Sequence, residues 1–292
     1  MTWPVPPPGF VYLYSTNDGY SNPRPIVIGG TGSPVLTLLP GTIVKLYEEA
    51  CLQVGNTGAP GGLKANGVIF TSMRDNQGGD TDGTATAAAT GDWNYVNLSA
   101  TAVSDSCVFT NCEFRYGGNN GSAGMLMISA ATPRIENSYI YESQTAGIYI
   151  IGANPQVVGC RFADNYRALD IRGRATAPGI TGNQIEPQDN TPVIIDARCV
   201  PDIVSNNTFT ARLDGKLNAI QLWETTIGTS MTWPVPPPGF VYLYSTNDGY
   251  SNPRPIVIGG TGSPVLTLLP GTIVKLYEEA CLQVGNTGAL AA

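Results

Sequence analysis

The chain has 292 residues, of which 42% are apolar and 13% charged, with a net charge of −7 and no histidine. An acidic chain without a basic stretch is not expected to bind nucleic acid or an anionic membrane surface. No apolar run approaches the ~18 residues of a membrane-spanning helix, and the lack of histidine nearly excludes the common zinc sites. With 35 Gly and 23 Pro and few helix formers, the chain reads as all-β.

Residues 1–25 open on Met1-Thr2-Trp3-Pro4-Val5-Pro6-Pro7-Pro8, which lacks the basic and apolar regions of a secretion signal; because Met231 occurs inside the chain, Met1 reads as a repeat position, which leaves room for a signal upstream of it. The segment predicts extended polyproline passing into a strand, a junction or strap along which Trp3 and the tyrosines pack. Residues 26–230 form the expected repeat unit. Its first strands fall at 26–28, 35–38, 42–46, 51–54 and 67–72.

Residues 73–92 interrupt the strands with an acidic loop containing Asp75, Asp80, Asp82 and Asp92. Asp80-Thr81-Asp82-Gly83 has the alternating carboxylates and glycine turn of oxygen-ligand calcium loops, making calcium the candidate cofactor, in a structural role. The distal Glu of a complete EF-hand loop is absent, and the plain alternative is a Gly/Asp turn insertion.

Beyond residue 108 a short period emerges. Four segments start at Pro133, Pro155, Pro178 and Pro201, at spacings of 22, 23 and 23, and each places Ile or Val two positions after the Pro. Phe109-Thr110-Asn111-Cys112-Glu113-Phe114 is an earlier version without the Pro. Each segment is followed by a second strand: Met125–Ile128, Gly147–Ile150, Ala168–Ile171, Val193–Ile195 and Ala219–Leu222. Alternate apolar residues point inward, and no rung is long enough to bury its own apolar face, so rungs must stack. The pattern predicts a right-handed parallel β-helix, a β-solenoid of about 22–23 residues per rung. A ladder of small residues at one turn would comprise Cys112, Ser138, Cys160, Asn183 and Asn206 or its neighbour Asn207. An antiparallel sandwich is the competing architecture, but its strands would not share the Pro-led register. Asp164, Asp170, Arg161, Arg167, Arg172 and Arg174 form the one dense charged cluster. It reads either as a lyase-like cleft or as an ion-paired outer face, the latter favoured because Asp170 and Arg172 alternate with inward Leu169 and Ile171.

Residues 231–289 repeat residues 1–59 without a difference, at an offset of 230. Such identity marks either a piece of a tandem array with a 230-residue period or a built duplication; in both a second identical repeat starts at Met231, and residues 290–292 are a short tail. The long period is close to ten rungs of 23, a rise of roughly 48 Å at about 4.8 Å per rung, and a whole number of rungs would keep the copy in register; because some loops are longer than a rung allows, the expected count is about eight to ten. The six cysteines give five per period, an odd number that argues against a disulfide framework and for buried apolar fillers.

The phrases Leu36-Thr37-Leu38-Leu39-Pro40-Gly41-Thr42-Ile43-Val44-Lys45-Leu46, Phe70-Thr71-Ser72, Gly78-Gly79-Asp80-Thr81-Asp82-Gly83 and Gly91-Asp92-Trp93, in this order, resemble the pectin-lyase-like right-handed β-helix modules of large bacterial secreted and cell-surface repeat proteins. The resemblance implies an extracellular or cell-surface location and a structural or adhesive role. Carbohydrate-cleaving members of that fold use clustered Asp/Glu, Arg or Lys, and often His, in a groove. This chain has no His and no recurrent carboxylate pair, so no catalytic residues are assigned and no enzymatic activity is expected. The expected function is part of a tandem-repeat solenoid, an extracellular filament, stalk or adhesin, whose partner is its own kind end to end. The alternative is a polysaccharide-binding or polysaccharide-cleaving β-helix, with surface polysaccharide as partner.

Overall fold

A computed structural model describes residues 1–14, 25–119, 123–174, 176–177, 179–245, 255–277 and 280–285. Pro178 and the tail 290–292 lie outside the described residues. The chain winds as a parallel coil with three faces. Face 1 is a seven-stranded sheet, face 2 an eight-stranded sheet and face 3 a ten-stranded sheet, in each of which neighbouring strands from successive coils pair in parallel; a three-stranded and a two-stranded parallel sheet lie in the second copy and the strand before it. One coil runs through Arg134–Glu136, Tyr139–Tyr141 and Ala146–Ile151, and the next through Gln156–Val158, Arg161–Ala163 and Arg167–Arg172. The expected strands at 125–128, 147–150, 168–171, 193–195 and 219–222 all fall within strands of face 3.

The core consists of columns. Ile135 lies opposite Val157, and Ile148, Leu169, Val193 and Ile220 follow one another along face 3. All of these are fully buried, each gaining about 1.5–3 kcal/mol from leaving water. On face 2 the rings of Phe70 and Phe114 stack at 4.7 Å, with Phe109 edge-on to Phe114 at 5.7 Å. The turn between faces 1 and 2 needs a left-handed residue. Gly67, Gly159 and Gly182 supply it at no steric cost, and Asn111 (φ 54°) and Asn137 (φ 49°) supply it in the other coils.

Two sequence expectations change. The segment led by Pro201 is an α-helix, Val200–Asn206, and not a strand. Pro201 sits in its first turn, where a missing N–H costs nothing, and Val200, Ile203 and Val204 form a buried stripe at helical spacing. Because the helix extends through Asn206, the residue that meets the turn ladder is Asn207.

The second change concerns the long repeat. Its internal pairing is the same in both copies: Met231–Trp233 pairs with Leu266–Leu268 as Thr2–Trp3 pairs with Val35–Leu38. Its seat on the coil differs. Tyr12–Tyr14 belongs to face 2, whereas its copy, within Val241–Ser245, pairs with Ala219–Trp223 and is the ninth strand of face 3. The copy of Ile26–Ile28, Ile256–Ile258, pairs with Thr226–Ile227 and not with face 3. The 230-residue period is therefore eight coils plus one face, a rise of about 40 Å. The count lies within the expected range of about eight to ten rungs, but the whole-number register is lost because coil lengths vary. Ile135 and Val157 are 22 residues apart. Leu52 and Val96 are 44 apart, since the acidic loop lies between them. The face 3 ladder is nonetheless unbroken, because a parallel strand of alternating pattern stacks on any face of the coil, whereas the face 1 and face 2 sheets end at Ile180–Thr181 and Thr208–Phe209 and the other strands of the copy form two separate sheets.

Phe114→Ala is expected to destabilise the chain by about 3–5 kcal/mol in urea unfolding, whereas Arg134→Ala, on the exposed flank of the next coil, should change it by less than about 0.5 kcal/mol. Equal effects would contradict a core built from stacked inward columns.

Candidate functional site

The acidic loop is organised by a lysine. Along Ile43–Leu46, Val44 and Leu46 point inward, so Lys45 points outward, yet its side chain is fully buried. Its ammonium donates to the carbonyls of Asp75 and Gly79, both at 2.5 Å, and to the Thr81 hydroxyl at 3.2 Å. Burial lowers the Lys45 pKa below 10.5, and Asp75, Asp80 and Asp82 oppose that shift. The four aspartates do not converge. Asp75 accepts from Thr71 and the Gln77 amide and pairs with Arg115 at 2.6 Å. Burial works against its ionised form, but these partners outweigh burial and hold its carboxyl below the usual 3.8. Asp92 accepts from Ser72 at 2.6 Å, Arg74 at 2.8 Å and the Ala89 amide. Asp80 and Asp82 accept from amides of the turn that follows each. Among the described residues no group of three or more His, Cys, Asp or Glu side chains is placed to hold a metal ion. The cation at the centre of the loop is the Lys45 ammonium.

The turn ladder links successive coils. Ser138 Oγ accepts from the Cys112 amide, and Asn183 Oδ1 accepts from the Cys160 amide at 2.8 Å. Asn207 Oδ1 accepts from the side chain and the amide of Asn183. Asn207 donates to Ile180 O and Ile203 O, and Asn206 takes no side-chain part. Cys112 and Cys160 fill the same position, their thiols on the carbonyls of Ala65 and Ile135 and their pKa values pushed up to about 11 by burial. A second ladder, at the turn between faces 2 and 3, was not read from the sequence. The Ser143 amide donates to Asn165 Oδ1, and the Asn165 amide and side chain donate to Gln188 Oε1, all three residues being buried. The signal was present as the spacings of 22 and 23 between positions 143, 165 and 188, but three different residue types disguise it.

Members of the charged cluster stay close, Arg167 near Asp170 and Arg172, and Arg161 near Asp164. Arg161 pairs with Glu186, Arg172 with Asp170 at 2.8 Å, and Arg174 with the Asn154 side chain and the Thr176 carbonyl. Arg172 also lies over the Trp223 ring at 3.8 Å. Asp170 faces outward, as its alternation predicts, and is buried beneath Arg172.

The two ends of the coil are incomplete copies of interfaces present elsewhere. Leu38, Leu46 and Val54 are 2%, 0% and 0% exposed, because the coil of Gly62–Asn66, Ile69–Ser72 and Tyr95–Leu98 covers them. Their copies Leu268, Leu276 and Val284 are 42%, 48% and 83% exposed. Cys51 is buried and its copy Cys281 exposed. Lys45 is buried and its copy Lys275 exposed. The first coil shows the converse. Phe10 is exposed and Trp3 half-buried, whereas their copies Phe240 and Trp233 are buried where the preceding coil covers them. Each Pro-rich strap carries the same tie, Tyr12 OH donating to Pro4 O at 2.8 Å and Tyr242 OH to Pro234 O at 2.7 Å.

Residues 95–227 match the family model of a right handed beta helix region, so the coil is a right-handed parallel β-helix. Neither the curated proteins nor the solved structures contain a match to the chain. No helix among the described residues is long and apolar enough to cross a membrane.

Lys45→Ala leaves the carbonyls of Asp75 and Gly79 without their donor. It is expected to cost about 1–3 kcal/mol and to speed tryptic cleavage after Arg74. Unchanged cleavage would show that the lysine does not organise the loop.

Proposed function

We propose that the protein is a structural, non-catalytic module of a tandem β-solenoid that associates end to end into an extracellular filament, stalk or adhesin. One observation carries the reading. The second copy stacks on the coil before it with an unbroken face 3 ladder, and its far end leaves uncovered the same apolar columns that the first copy buries. A solenoid end of this kind gains by meeting another coil. The extracellular setting rests on the resemblance to secreted and surface repeat modules. The alternative is a polysaccharide-binding or polysaccharide-cleaving protein; the outward rings of Tyr139 and Tyr141 are the aromatic surface nearest to it, but they stack on each other at 4.1 Å with Arg161 over Tyr139 at 4.7 Å, which covers the ring faces a sugar would need.

Sedimentation velocity across a concentration series, with electron microscopy of the heavier species, tests the filament reading. The expected result is thin rods that lengthen with concentration. Leu268→Lys with Leu276→Lys should suppress growth at least tenfold while leaving the far-ultraviolet spectrum unchanged. A wild-type chain that stays monomeric throughout and binds acidic polysaccharide would favour the alternative.

A further inference from the structure

We propose that the repeat junction is a joint built into the solenoid. The coils on either side turn about the face 3 ladder between Ala219–Trp223 and Val241–Ser245. A wedge then opens between Val200–Asn206 with Thr208–Phe209 on one side and the Pro-rich residues 231–240 on the other. The joint is a property of the single chain and does not depend on end-to-end association.

The coils of the repeat are held on three faces, and the junction is held on one. Gln156–Val158, Arg161–Ala163 and Arg167–Arg172 each pair with the coil before them. Face 1 stops inside the chain at Ile180–Thr181, where the helix Val200–Asn206 takes the place of the next strand, and face 2 stops at Thr208–Phe209. Met231–Trp233 pairs onward with Leu266–Leu268 and not backward. Among the described residues no backbone hydrogen bond joins residues 200–209 to residues 231–240. The sequence gives the reason. Pro234, Pro236, Pro237 and Pro238 have no N–H to offer a ladder. Face 3 alone crosses, with Ile220 opposite Tyr242 and Leu222 opposite Tyr244.

Apolar contact closes the other two faces. Phe209 and Phe240 meet edge-on at 5.8 Å, and the helix packs against Met231–Trp233. Such contact is non-directional, so it holds two surfaces together without fixing their angle as a ladder does. The closed wedge also strands a donor. Trp233 is fully buried and its Nε1 has no hydrogen-bond partner, whereas Trp93 Nε1 donates to the Arg115 carbonyl at 2.8 Å. A buried donor without an acceptor works against the closed state, and opening the wedge hydrates it. The compliance therefore has a direction. Bending that opens the side away from face 3 parts apolar surfaces only, while bending that opens face 3 must break ladder bonds. A longer array of the same period would carry one such joint every 230 residues, between stiff three-ladder coils.

Two spin-labelled pairs test the joint in the full chain. The background is Cys281→Ser, since the other five native thiols are buried. Gln156→Cys with Thr267→Cys crosses the junction on the side away from face 3, and Ile151→Cys with Lys275→Cys crosses it along face 3. All four positions are exposed. Pulsed electron double resonance is expected to give a narrow distance along face 3, and on the other side a distribution at least about twice as wide with a longer component. Narrow distributions for both pairs would overturn the joint. Broad distributions for both would overturn it as well, because the second copy would then be loosely seated and not hinged. Phe240→Ala, which removes the ring that meets Phe209, should enlarge the longer component of the first pair and leave the second pair unchanged. A first pair unmoved by that substitution would overturn the apolar closure. The wild-type comparison needs only surface labels, so it decides the matter even if Phe240→Ala does not fold.

Discussion

The structure depends on a strand too short to stand alone. A run of three to six residues presents two or three apolar side chains on one side, and no such run closes a core. Parallel stacking at every coil supplies the missing surface, so the protein is a set of continuous columns and its stability resides between coils. Other features serve this constraint. The buried amide ladders at two corners satisfy the backbone groups of the turns, and left-handed residues such as Gly159 and Asn137 let the chain change face without lengthening the coil. The acidic loop covers one outward lysine from the preceding coil.

The same constraint accounts for the way the identical segment is reused. An inward alternation fits any face of the coil, so the copy of Tyr12–Tyr14 is accommodated on face 3 although the original lies on face 2. If each junction in a longer array repeats this step, the array turns by one face per repeat, and only every third repeat returns a given residue to the same side. Surface features such as the acidic loop would then be displayed around the axis and not along a single line. The copies also show that burial here is set by position and not by residue type: Val54 and Val284 share a sequence environment and differ from 0% to 83% in exposure.

Much of this was legible in the sequence, for reasons that particular residues make clear. The Pro-led segments with Ile135, Val157 and Ile180 recur at one coil length and alternate inward and outward, so the stacked-strand class follows from spacing alone. The ladder positions Cys112, Ser138, Cys160 and Asn183 follow from the same register. Val200, Ile203 and Val204 fit both a strand led by Pro201 and a helix, and the helix moves the ladder from Asn206 to Asn207. Lys45 stayed hidden because its partners lie 30 to 36 residues onward, in a loop that reads as a calcium site when its carboxylates are counted without their cations. The face on which a coil begins is not written locally at all. It is the accumulated result of every arc length before it.

The most direct test of the account is therefore where the second copy sits. Gln221 lies opposite Leu243 on face 3, and a copy that kept its original face would bring Leu243 beside Thr208 on face 2. Gln221→Cys with Leu243→Cys, in a Cys281→Ser background, should form an intramolecular disulfide on mild oxidation without loss of the β spectrum. Failure of that pair, together with ready crosslinking of Thr208→Cys to Leu243→Cys, would contradict a coil that continues through the repeat junction displaced by one face.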